Sequence, residues 1–136
     1  MQGILFTPEN ILAINQGKKR ITRRVIKPQP FIRDGVMRWT PKRGIDINLT
    51  DHSDLAIPYA TYQVGKVVYI KESFAAMSIF DNRKPSELDD NTPIWFRDTP
   101  PDEPTNCGDD MGRWRSPLFM PEWAARTFIR LLDVRP

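Results

Sequence analysis

Gly17-Lys18-Lys19-Arg20-Ile21-Thr22-Arg23-Arg24-Val25-Ile26-Lys27 is the segment on which the reading of this chain turns. On its N-terminal side, Thr7-Pro8 has the form of a helix start, with Thr7 as N-cap and Pro8 in the first helical position. Ile11, Leu12 and Ile14 continue a helix of roughly three turns, and Gly17 is suited to close it as a left-handed C-cap. On its C-terminal side, Thr22, Val25 and Ile26 favour an extended strand, which Lys27-Pro28-Gln29-Pro30 ends because proline cannot continue a ladder. The short apolar run Ile4-Leu5-Phe6 predicts a first strand, so the order is strand, helix, basic turn, strand.

The same segment concentrates the charge. Residues 18–27 hold six basic residues and no acid, and without them fourteen bases face seventeen acids across the chain. The positive character is one local patch. Such a patch attracts phosphates, and the attraction weakens with salt. A solvated basic turn is the plain alternative.

Further along, Val67-Val68-Tyr69-Ile70 is the strongest strand, β-branched and aromatic as a strand buried on both faces should be. It follows a turn at Gly65-Lys66 and runs into Lys71-Glu72-Ser73-Phe74. Val36 to Thr40 and Ile45 to Leu49 suit a hairpin around Pro41-Lys42-Arg43-Gly44. Residues 81–110 carry nine acids, three bases and five prolines, and read as a long loop containing a strand at Ile94-Trp95-Phe96. Pro121 to Ala124 suits one helical turn. Arg126 to Val134 suits a last strand, with Thr127, Ile129 and Leu131 on one side and Phe128, Arg130 and Leu132 on the other.

The length of 136 residues fits one domain, 1–136, able to bury a core without disulfides or metals. Thirteen prolines disfavour long helices. Strands outnumber helices and no βαβ alternation appears, so the expected class is α+β, mainly β: a small barrel with one N-terminal helix and a short helical turn near the C-terminus. Cys107 stands alone, which rules out an internal disulfide and suits a reducing cytoplasm. No apolar run reaches membrane-spanning length, and the first residues lack the pattern of a signal peptide. His52 is the one histidine, so no histidine-rich metal site is expected, and no cofactor is implied. A surface loop is its expected place.

Gly17, Lys19, Thr22 and Arg24 together fit the pattern G-x-K-x-x-T-x-R, and this resembles the signature of the ASCH family. Two later segments resemble phage and prophage members of that family. Val64 to Phe74 is similar to their G-D-x-L-W-V-R-E-T-W stretch, and Trp114 to Arg126 to their W-R-P-S-I-H-M-P-R-W-A-S-R stretch. Lys66 departs from the usual aspartate, and Leu118-Phe119 from the usual Ile-His. The resemblance implies a PUA-like β-barrel with a cleft for RNA, single-stranded nucleic acid or a modified nucleoside, working in the cytoplasm of a bacterial host. Some small bacterial ASCH proteins hydrolyse the acetyl amide of N4-acetylcytidine with a lysine and a threonine of this motif and a glutamate elsewhere, and at least one other member has been described as a ribonuclease.

In such an amidohydrolase the roles would fall as follows. Thr22 would be the nucleophile, activated by a base. Lys19 would be that base, since crowding by Lys18, Arg20, Arg23 and Arg24 disfavours a protonated amine. Glu72 would pass a proton to the leaving amine. Arg24 would share a strand face with Thr22 and hold a phosphate or oxyanion, while Lys18, Arg20 and Arg23 would meet phosphates first. Three readings stand side by side: a nucleic-acid-binding module; a hydrolase, either the amidohydrolase or a metal-independent ribonuclease; and a phage accessory protein whose 81–110 loop binds a host protein. In the alternative without chemistry, Lys19 pairs with Glu72 and Thr22 is an ordinary strand residue. Trp39, Tyr69, Phe74 and Trp95 are candidate base stackers. Cys107 and Asp109-Asp110 read as loop residues.

Overall fold

The computed structural model describes residues 1–97 and 110–135. They form one α-helix, five short 3-10 segments and eight short strands in three small sheets. This is the expected α+β class. None of these sheets closes into a barrel among the described residues. Cys107 and Asp109, with most of the second half of the 81–110 segment, lie outside the described residues.

The chain falls into two compact units. The first comprises Met1–Arg20 and Val67–Ile129 and the second Ile21–Lys66 and Arg130–Pro136.

In the first unit, β1 (Gln2–Leu5) runs parallel to β5 (Val67–Lys71), with Gly3 opposite Tyr69 and Ile4 opposite Ile70. A Cβ on Gly3 would run into the Lys71 and Tyr69 side chains, which lie over the space that glycine leaves open. β5 is the middle strand, with β8 (Phe128–Arg130) on its other side. Val68, Tyr69 and Ile70 are buried, as a central strand of continuous β-branched and aromatic residues requires. The helix α1 (Pro8–Asn15) starts as expected, with Thr7 extended at the N-cap and Pro8 in the first turn. The Thr7 hydroxyl does not cap a backbone N–H; it accepts from the Asn10 amide at 3.1 Å. A short antiparallel pair, β6 (Phe74–Ala75) and β7 (Trp95–Phe96), supports the core of Phe74, Met120 and Ala124, on which Ile94, Phe96 and Trp123 pack. Pro121 to Ala124 supplies the expected helical turn, in 3-10 form over Glu122–Ala124, and Pro117–Phe119 adds another. The final strand is shorter than expected, but its alternation holds: Thr127, Ile129 and Leu131 are half-buried and Phe128, Arg130 and Leu132 exposed.

In the second unit, β2 (Phe31–Arg33), β3 (Val36–Lys42) and β4 (Ile45–Asn48) form an antiparallel sheet. β2 and β3 are joined by Asp34-Gly35 with φ of 52° and 75°, the mirror-image turn whose twist matches that of the strands. The β3–β4 hairpin is the one the sequence suggests. Its register shifts between Trp39 and Lys42, so Pro41 falls where the ladder is broken and no N–H is needed. Trp39, Ile47 and Ala56 make the core, and Trp39 donates its indole N–H to the Pro28 carbonyl at 2.8 Å. A seven-residue 3-10 helix, Ser53–Tyr59, follows exposed His52.

Candidate nucleic-acid interface

The basic segment begins where α1 ends. Gly17 lies at φ +69°, its N–H bonds the Ile14 carbonyl at 2.9 Å, and the Lys18 N–H reaches back to the Ala13 carbonyl at 2.8 Å. These two bonds are the Schellman closure, which satisfies carbonyls that the last helical turn leaves unpaired. Gly17 is therefore backbone geometry: it turns the chain so that Lys18, Lys19 and Arg20 leave the helix.

From Lys18 to Pro30 the chain has no regular secondary structure, which corrects the expected strand from Thr22 to Ile26. The β-propensity of Val and Ile expresses packing on a half-buried pleated surface. Here Ile21 and Val25 are 78% and 74% exposed, and no neighbouring strand among the described residues supplies a ladder. With no strand, the shared strand face of Thr22 and Arg24 falls too.

Lys18, Arg20, Arg23, Arg24 and Lys27 are exposed; Lys19 and Thr22 are half-buried. Arg24 directs Nη1 to the Arg23 carbonyl at 3.4 Å. Among the described residues, Lys18, Lys19, Arg20, Arg23 and Lys27 form no ion pair with an acid. Lys18, Lys19, Arg20 and Glu72 belong to the first unit; Thr22, Arg23 and Arg24 belong to the second.

Glu72 follows β5 and is 1% exposed. Its carboxylate meets Arg126, not Lys19: Arg126 Nη2 donates to Oε2 at 2.8 Å, and Nε lies 3.2 and 3.3 Å from the two oxygens. The Arg126 guanidinium also lies over the Phe96 ring, 4.2 Å from its centroid. The Glu72 backbone N–H points at the Met120 sulfur, 3.1 Å away. Arg126 ends the third quoted sequence block, yet sequence reasoning gave it no role, because no local pattern links residues 54 positions apart.

Of the candidate stackers, Trp39, Tyr69 and Phe74 are buried and offer no ring to a ligand, whereas Trp95 is half-buried. Tyr69 donates its hydroxyl to the Met120 carbonyl at 3.3 Å. Burial, with the nearby Glu122 carboxylate, pushes that hydroxyl above its ordinary value. Arg115 is a buried cation that the sequence did not single out. It donates to the carbonyls of Arg83 and Phe80 at 2.7 and 2.6 Å. A recess of about 180 Å³ in the first unit is lined by Met77, Phe80, Arg83, Leu88 and Thr92 among others. It holds none of the motif residues, and the Asp89 carboxylate on its wall is occupied by the Asn91 N–H and the Thr92 hydroxyl. No grouping of histidine, cysteine and carboxylate able to hold a metal occurs among the described residues. No helix among them is long and apolar enough to cross a membrane.

No family model, curated protein or solved structure matches this chain.

Proposed function

We propose that this chain is a nucleic-acid-binding domain of the PUA-like, ASCH kind, and that segment 18–27 takes the phosphates of RNA or single-stranded nucleic acid. One observation carries the reading: Lys18, Arg20, Arg23 and Lys27 are exposed cations with no acidic partner among the described residues. An unpaired cation on an irregular, solvated backbone keeps its full attraction for an external phosphate, and that attraction is the main sequence-independent term in nucleic-acid binding. The fit to G-x-K-x-x-T-x-R supports the family assignment within this proposal.

The amidohydrolase scheme gives Glu72 the task of moving a proton at an open cleft. The Glu72 carboxylate is fully enclosed and already holds Arg126, so binding is the function favoured here. The test is a labelled single-stranded RNA titrated with the protein and followed by fluorescence anisotropy. Replacing Lys18, Arg20 and Arg23 together by serine is expected to weaken binding at least tenfold in low salt. Equal binding by this variant would refute the assignment.

A further inference from the structure

Trp39 and Ile47 lie in the core of the second unit, on one face of the β2–β3–β4 sheet. The registers Phe31 to Arg38, Arg33 to Val36 and Arg38 to Asn48 place Phe31, Arg33, Arg38 and Asn48 together on the opposite face. That face points away from the core. Phe31 is 44% exposed, whereas Trp39 is buried and Tyr59 and Tyr62 are half-buried, so Phe31 is the one exposed phenylalanine, tyrosine or tryptophan among the described residues of this unit.

Two arginines flank the ring, each beside an acid. Arg33, two residues along on the same face, has a side chain 73% exposed; its Nε lies 3.9 Å from the Asp34 carboxylate, a loose contact between two solvated groups that a phosphate can replace. Arg38, directly across the ladder, is held by the Asp46 carboxylate at 2.7 Å, which fixes a guanidinium on the face shared with the ring. β2 is an edge strand among the described residues, and none of their strands covers the side of Phe31 away from β3. Charge divides unevenly between the units. The second unit holds ten basic and five acidic residues, the first ten and twelve.

We propose that the outer face of this sheet is a stacking platform for single-stranded nucleic acid, with an unpaired base laid on the Phe31 ring and its phosphates drawn by Arg33 and by the basic excess of the unit. The inference rests on the nucleic-acid-binding reading above and gives that reading a base-contacting residue. A lone exposed phenylalanine is ordinary surface; a phenylalanine flanked by arginines on a sheet edge of a basic unit combines the two features that bind single strands, an aromatic face and a phosphate-attracting field. The occupant is single-stranded, because the bases of a duplex are already stacked on one another and offer no free face.

The test uses the full chain and a fluorescein-labelled ten-nucleotide oligoadenylate, as RNA and as DNA, with an RNA duplex as a third probe. Phe31→Ala and Phe31→Leu are expected to weaken single-strand binding about 5- to 100-fold. Phe31→Trp should restore it, duplex binding should not change, and the salt slope should stay at its wild-type value, since phosphate contacts remain. The leucine variant keeps an apolar side chain at the site, so a loss shared by both variants reports the missing ring and not a folding defect. Wild-type affinity in both variants, with the triple serine variant of the basic segment still defective, overturns the platform and leaves the binding reading intact. Failure of the wild-type chain to bind any of the probes overturns both.

Discussion

Removing Arg126 should expose what Glu72 does. Arg126→Leu leaves a carboxylate with no side-chain exposure facing an aliphatic chain in place of three N–H contacts at 2.8 to 3.3 Å. Removing one partner of a buried ion pair typically costs about 3–5 kcal/mol, because the charge that remains is neither hydrated nor paired. The Arg126 side chain is 26% exposed, so water can reach part of the site and the low end, about 3 kcal/mol, is expected. In a domain of this size that corresponds to a fall of roughly 10 °C in Tm. The variant also loses the contact between the guanidinium and Phe96, worth about 0.5–1 kcal/mol. A double-mutant cycle with Glu72→Gln separates the two effects: the double variant should be more stable than the sum of the single losses by at least about 1 kcal/mol. Urea denaturation followed through the four tryptophans provides the assay. If Arg126→Leu unfolds within about 0.5 kcal/mol of wild type, or the cycle is additive, the structural account of this pair is wrong. Glu72→Gln should leave oligonucleotide binding unchanged, because the carboxylate is enclosed and held by Arg126.

Two further substitutions probe the frame. Gly17→Ala should cost about 1 kcal/mol in urea denaturation: nothing lies within 4 Å of the added Cβ, and the penalty is that of a side chain at φ +69°. Tyr69 has its hydroxyl held above 10.0 in the folded state, so the unfolded chain ionises first as pH rises. The stability from this residue is complete below pH 10.0 and is lost as pH climbs through and beyond it. Tyr69→Phe should therefore flatten the fall of the urea midpoint above pH 10, and an unchanged fall would show that Tyr69 does not contribute to it.

The parts of the fold legible in the sequence are those set by local chemistry. Gly17 follows an apolar helix pattern and closes that helix; Val67 to Ile70 is too β-branched and too apolar to be anything but a central strand. The hairpin from Val36 to Asn48 was readable for the same reason. Asp34-Gly35 is as strong a turn signal as the chain contains, but it is easily passed over because Phe31-Ile32-Arg33 does not alternate and all three residues are exposed in the strand it begins. Thr22 to Ile26 misleads in the opposite way: the residues favour a strand, and no strand among the described residues pairs with them. The pairing of Glu72 with Arg126 depends on tertiary folding, as does the burial of Trp39, Tyr69 and Phe74, which removes three of the expected stackers. The exposed cations of the basic segment were legible from charge alone, whereas the face shared by Phe31, Arg33 and Arg38 requires the register of the sheet.

The measurement closest to the central claim is the salt dependence of binding to a single-stranded oligonucleotide. With about three to five phosphates neutralised, the logarithm of affinity should fall against the logarithm of salt with a slope of roughly −2 to −4, and the triple serine variant should show a shallower one. A flat slope, or the wild-type slope in that variant, would contradict a phosphate-binding role for residues 18–27.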